Sequence, residues 1–182
     1  MLDLIRNLLD AARHESRRLE PVPEQLDLAA LTHRLVQQNA KLAARKNIIL
    51  NNGVGGTAMV WADPSMTEQV LDNLISNAVK FSPAGKNVYL RSRVENHDLL
   101  WEVRDQGPGV SAEDRKRLFQ KFARLSAQPT GGENSTGLGL SIVKMMAEAM
   151  GGRVWCESEP GRGATFIVAL PRESPAGAAG RL

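Results

Sequence analysis

The stretch EQVLDNLISNAVKFSP (residues 68–83) leaves a chain little freedom in how it folds. Val70, Leu71, Leu74, Ile75, Ala78 and Val79 recur at helical spacing, and a helix with that much apolar surface has to be covered by other elements. Asp63-Pro64 marks its start, an N-cap residue followed by proline at the first helical position, and Phe81-Ser82-Pro83 marks its end. Yet Asn73 and Asn77 stand one turn apart on this helix, and Lys80 follows on the same face. A mostly buried helix that carries a row of amides ending in a cation needs an explanation.

The rest of the pattern supplies the cover. Residues 2–19 place Leu2, Ile5, Leu8, Leu9 and Ala12 on one side of a helix with a charged back. Pro21 and Pro23 stop it and favour an extended linker. Asp27 caps a helix over 28–46. Strands are predicted at 47–51 and 58–61 around Gly53, Gly55 and Gly56, and at 87–94 and 99–104 around a polar turn. A short helix is expected over 111–120, a mobile loop over 124–136, and a helix from Gly137 to Met150 ended by Gly151-Gly152. Two strands, 153–158 and 164–170, close the pattern around the turn 159–163. This order predicts an α/β sandwich, a sheet covered on one face by helices.

Composition narrows the function classes. The 182 residues carry a net charge of +3, with the basic residues spread along the chain, so charge gives no ground for a nucleic-acid surface. The single cysteine, Cys156, excludes an intrachain disulfide and reads as a small core residue in a strand. No apolar run approaches the ~20 residues of a membrane helix, and no signal peptide is evident.

Three motifs could carry chemistry. Amide oxygens such as those of Asn73 and Asn77 are hard, neutral ligands suited to Mg²⁺, which takes its remaining ligands from water and phosphate, and Lys80 would meet phosphate charge. The plain alternative is a solvated helix face. Asp105-Gln106-Gly107-Pro108-Gly109 ends a strand with a carboxylate able to accept from an exocyclic amine, and its glycines let the backbone approach a flat ring; a tight turn is the alternative. Thr136-Gly137-Leu138-Gly139-Leu140-Ser141 opens a helix, whose N-terminus suits a phosphate, although it matches neither the Walker A nor the dinucleotide fingerprint.

Taken in order, Asn…Asn…Lys, DxGxG, the pair Phe119 and Phe122, and TGLGL resemble the ATP-binding domain of two-component sensor histidine kinases, over roughly residues 28–171. That domain has the Bergerat fold shared with gyrase, the heat-shock ninety chaperones and the mismatch-repair ATPases. The resemblance implies a mixed, mainly antiparallel sheet and binding of ATP with Mg²⁺. It makes Asn77 the metal ligand, with Asn73 and Lys80 at the phosphates. It places Asp105, Gly107 and Gly109 around adenine, Asp105 accepting from its amine, and counts Phe81, Val110 and Phe122 among the nucleotide-binding residues. Thr136, Gly137, Leu138, Gly139 and Leu140 would flank the phosphates. Residues 123–136 would form a lid anchored by Phe119 and Phe122, with Arg124 reaching the terminal phosphate and Thr165 supporting Asp105 through water. Gln106, Asn134 and Ser135 depart from the family's usual residues.

In the ATPases of this superfamily a glutamate one turn before the metal-binding asparagine activates water. Asn73 stands there, and an amide is not a general base, so transfer to a protein nucleophile is favoured over hydrolysis. The implied acceptor is a histidine on a dimerisation hairpin, and the implied onward partner is a response regulator receiver domain. His14 begins a faint likeness to the acceptor motif, but LIRNLLDAARHES reads better as the end of the hairpin's second helix, which puts the acceptor before Met1. His33 and His97 read as solvated surface. The expected organisation is a hairpin end (1–20), a linker (21–26), a catalytic ATP-binding domain (27–171) and a disordered tail (172–182). The expected setting is cytoplasmic with no membrane contact by these residues, the chain a monomer or weak dimer and its parent a homodimer. Two rivals stand beside this reading: an anti-sigma-type serine kinase and a non-catalytic nucleotide-binding interaction module.

Overall fold

The computed structural model describes residues 19–56, 58–123, 125–131 and 137–174. The expected N-terminal helix and most of the expected tail fall outside them, as do Arg124 and Thr136. The described elements are β1 (Glu24–Asp27), α1 (Leu28–Ala44), β2 (Ile49–Asn52), β3 (Met59–Ala62), α2 (Pro64–Phe81), β4 (Asn87–Glu95), β5 (Asp98–Arg104), α3 (Ala112–Arg117), α4 (Gly139–Ala149), β6 (Arg153–Ser158) and β7 (Ala164–Pro171).

Five strands form one mixed sheet in the order β2-β4-β5-β7-β6, with β2 parallel to β4 and the other pairs antiparallel. Alternation along the strands sends Val88 and Leu90, Trp101 and Val103, and Phe166, Val168 and Leu170 to the helix side. There they meet Leu28, Leu31 and Leu35 of α1, Leu71, Leu74 and Ile75 of α2, and Ile142, Val143 and Met146 of α4. The helix starts follow local chemistry. The Asp27 carboxylate accepts from the N–H groups of Ala29 and Ala30, at 2.8 and 3.2 Å. α1 ends two residues before the predicted limit, in a turn that carries Asn47 at φ 52°.

The stretch read as a linker carries a strand. β1 pairs antiparallel with β3 in a separate two-stranded sheet, Glu24 opposite Ala62 and Asp27 opposite Met59. The Val22 N–H also donates to Asp63 Oδ2 at 2.9 Å. Asp63 therefore caps α2, through Met66 N–H at 2.9 Å, and ties down the approach to β1. Burial works to raise the Asp63 carboxyl; the Met66 and Val22 N–H groups and the Ser65 hydroxyl outweigh it and hold the group below its ordinary value.

No described helix covers the opposite face of the sheet, yet Leu100, Ile167 and Ala169 there are at most 1% exposed. Charged side chains roof them. Arg93, opposite Leu100, reaches Glu102 at 2.6 Å, and Arg153, opposite Ala169, crosses β7 to Asp98 at 3.1 Å. The Arg153 guanidinium also lies 5.6 Å from the centre of the Trp155 ring. Such exposed pairs add little as ion pairs, but their stems keep water off the apolar strip.

The largest fully buried side chain, Trp101, donates its indole N–H to Thr32 Oγ1 at 2.9 Å across the sheet–helix interface. Thr32→Val keeps the shape and removes the acceptor. It is expected to cost about 1–3 kcal/mol, the desolvation of an orphaned buried donor. A lower urea midpoint with unchanged slope would report it; an unchanged midpoint would show that the indole finds another acceptor.

Candidate nucleotide-binding site

Three segments distant in sequence meet at one edge of the helix layer. The first is the amide row of α2. Asn77 Nδ2 donates to Asn73 Oδ1 at 3.2 Å, so the two amides hold each other in register and the Asn77 oxygen remains for a cation. The second is the start of α4. A Cβ on Gly139 would lie 2.6 Å from Asn73 Oδ1 and 3.2 Å from its amide nitrogen, so only glycine lets the helix begin this close to the row. Leu138, at the N-cap, makes no side-chain hydrogen bond to the first turn. The N-terminal, positive end of the α4 dipole therefore stands beside Asn73.

The third segment is the loop after β5. Asp105 is 4% exposed. Its Oδ1 accepts from the N–H of Gly107 at 2.8 Å and of Ala164 at 3.1 Å. Among the described residues none donates to Oδ2. Burial pushes the Asp105 carboxyl above the ordinary carboxylate range, against the pull of those two N–H groups and the charge of Arg104. A Cβ on Gly107 would lie 2.7 Å from the Phe81 carbonyl oxygen, which seats this loop against the last turn of α2.

The loop is braced by the β6–β7 turn. Gly161 N–H donates to Pro108 O at 2.7 Å, Val110 N–H to Ser158 Oγ at 2.8 Å, and Ser158 Oγ to Gly163 O at 2.7 Å. Gly109 and Gly163 have φ of +73° and +76°, and a Cβ on either would overlap a carbonyl oxygen of the other loop, that of Glu159 or of Asp105. Ser158 and Gly163 are site-forming residues that sequence reading treats as strand and turn; the repeated Gly-x-Gly spacing of the two loops is the available signal.

Residues 62–174 match the family described as histidine kinase-, DNA gyrase B- and HSP90-like ATPase. The chain belongs to this family.

Among curated members, the chain is 35% identical over 180 residues to the circadian input-output histidine kinase CikA of Synechococcus elongatus, covering 96% of this chain and 24% of that protein. It is 35% identical to the virulence sensor protein BvgS of Bordetella bronchiseptica, covering 93% of this chain and 14% of BvgS. The chain thus spans a quarter or less of these two relatives. Among solved structures, full-length ShkA in complex with AMPPNP aligns at a TM-score of 0.80 and 32% identity, over 93% of this chain and 35% of ShkA.

For a member of this family, several expectations need correction. Phe122 does not anchor the lid: it is 66% exposed at φ +58°, turned outward where its N–H donates to Gly137 O at 3.0 Å. Phe119 does pack on the core. Thr165 does not stand behind Asp105; the Ala164 N–H bonds the carboxylate, and strand alternation sends Thr165 to the opposite face with Ile167. The side chains of Val110 and Leu138 belong to the core at 8% and 3% exposure, and that of Leu140 packs against it. α4 begins at Gly139 rather than Gly137.

The loop read as mobile is tied down where it is described. Leu125 packs on the core, and Asp114, 4% exposed, accepts from both the hydroxyl and the N–H of Ser126. Those two donors hold the Asp114 carboxyl below its ordinary value. Elsewhere, His33 and His97 are exposed. Burial, and then the Asp105 charge, push the Cys156 thiol up to about 12, so it stays a neutral packing residue.

Proposed function

We propose that this chain is the catalytic part of a sensor histidine kinase, binding ATP with Mg²⁺ and passing the γ-phosphoryl group to a histidine on a dimerisation hairpin, for onward transfer to an aspartate of a response regulator. The observation that carries this reading is the convergence of one carboxylate, one helix start and one amide row on a single edge of the helix layer. Asp105 Oδ2 faces the adenine amine, the α4 N-terminus takes phosphate oxygens, and Lys80 adds charge. Asn77 would offer a hard neutral oxygen to Mg²⁺, which would take its other ligands from phosphate and water and would supply positive charge against that building on the transferred group.

Asn73 supports transfer over hydrolysis. It lies against both Asn77 and Gly139 and carries no base to activate water. Use of ATP places these residues in the cytoplasm; no described helix is long and apolar enough to cross a membrane. The parent is read as a homodimer, because the hairpin that presents the acceptor is itself a helix pair that dimerises.

The test is phosphotransfer from labelled ATP to a separately supplied histidine hairpin of the parent kinase. The expected product is acid-labile, base-stable phosphohistidine. Asn77→Ala is expected to lower the rate about a hundredfold or more and to remove the Mg²⁺ dependence of nucleotide binding. Phosphoserine on a partner protein would move the anti-sigma-type kinase ahead. Tight ATP binding with no transfer to the hairpin would leave a nucleotide-binding interaction module.

A further inference from the structure

The loop between α3 and α4 is held at a second point that the family motifs do not mark. Lys46, half-buried in the turn after α1, sends its ammonium to the C-terminal end of α2, donating to Val79 O at 2.9 Å and Lys80 O at 2.8 Å. These carbonyls lie at the negative end of the helix dipole, where a cation is favoured. The same ammonium donates to Thr130 Oγ1 at 2.7 Å. Thr130 completes the junction: its hydroxyl donates to Ser82 O at 2.6 Å and its N–H to Lys80 O at 3.1 Å. Segments 34 and 50 residues away from Lys80 thus meet on its backbone.

The position matters because of what the last turn of α2 carries. Lys80 is the cation of the amide row, and the Phe81 carbonyl seats Gly107 of the adenine loop. We propose that Lys46 is a positioning residue for the nucleotide lid: its ammonium locks residues 129–131 of the loop, through Thr130, onto the turn that presents Lys80 and Phe81. The proposal rests on the nucleotide reading of the site. It gives the described part of the loop two fixed points, Ser126 on the Asp114 carboxylate and Thr130 on the Lys46 ammonium. A lysine that served only to cap α2 would need no loop hydroxyl.

Two substitutions separate these roles. Thr130→Val keeps the shape of the loop residue and leaves Lys46 on the α2 carbonyls. Lys46→Met removes both functions at nearly constant length. Hydrogen exchange of the chain without nucleotide reads the tie itself, and stopped-flow release of a fluorescent ATP analogue with Mg²⁺ reads its service to the ligand. In both variants, amides over 125–131 are expected to exchange about tenfold faster while β5 and β7 keep their protection. Nucleotide release is expected to accelerate about tenfold. The double variant should be no worse than either single one, and Lys46→Arg should recover most of the effect. Unchanged exchange of 125–131 in Thr130→Val would overturn the proposal and leave Lys46 a helix cap. Faster exchange with unchanged nucleotide release would overturn the lid role. An unsubstituted chain that bound no analogue would remove the nucleotide reading, and the lid role with it, while the exchange data would still decide whether the tie exists.

Discussion

Asp105→Asn is expected to stop the chain from holding a nucleotide while leaving it at least as stable as the parent sequence. The carboxylate divides its work between two oxygens. Oδ1 accepts from the N–H groups of Gly107 and Ala164, and an asparagine oxygen can keep both bonds. In the proposed pose Oδ2 faces the adenine amine, and there the substitution puts an N–H₂ donor against a donor. Losing a charge-assisted bond and opposing two donors should cost about 2–4 kcal/mol of binding, roughly 30- to 1000-fold in affinity.

Stability moves the other way. Burial raises the Asp105 carboxyl above its ordinary value. The folded chain therefore holds that proton more tightly than the unfolded chain. The group's contribution to stability is fully present below the unfolded pKa and is lost as pH rises through the folded one. At neutral pH the buried charge is a cost that asparagine does not carry. Thermal unfolding should show the variant's advantage shrinking as pH falls into the carboxylate range. Over the same range the unsubstituted chain should lose ATP affinity, because binding needs the ionised form. A variant that binds ATP normally, or that melts well below the parent at neutral pH, would contradict this account of the pocket.

The second large effect is expected at Gly163→Ala. Gly163 has φ +76°, and a Cβ there would overlap Asp105 O and come within 3.0 Å of Asp105 C and 3.2 Å of Gln106 Cα. All three are backbone atoms, so no flexible side chain can swing aside. The conformation alone costs about 1–2 kcal/mol for a residue with a Cβ, and the overlap should bring the total to about 3 kcal/mol or more. Gly161→Ala is the internal control. It has φ +80° but no atom within 4 Å of the added Cβ, so it should show the conformational cost alone. The urea midpoints of the two variants, compared at equal slope, read the difference. Because the overlap displaces the backbone of Asp105, Gly163→Ala should also weaken ATP binding under conditions where it remains folded. Equal midpoints for the two variants would mean that the two loops separate easily and do not brace each other.

These two sites show where sequence reading succeeds and where it stops. Asp105 was legible because its type and setting are unusual, an aspartate at a strand end before two glycines. Gly163 was read as part of an ordinary turn because its constraint is the carbonyl of a residue 58 positions earlier. Phe119 and Phe122 look alike in the sequence, yet one packs on the core and the other stands exposed, since the Gly137 contact fixes the backbone between them. The resemblance gives Thr165 the support of Asp105, whereas in the structure it is the Ala164 N–H that bonds the carboxylate.

By itself, the sequence determined most of the helices and strands after β1, which faces they bury, and that an amide row, a DxGxG loop and a glycine-led helix occur in an order that signals nucleotide chemistry. Side-chain periodicity and helix caps are local, and residue type reports them directly. The pairing of β1 with β3, the interlock of the two glycine loops and the ties of Thr130 to Lys46 and of Ser126 to Asp114 were decided by the tertiary structure alone. Much of that joining runs through backbone N–H and C=O groups, which nearly every residue carries alike, brought together from distant parts of the chain by packing of the core.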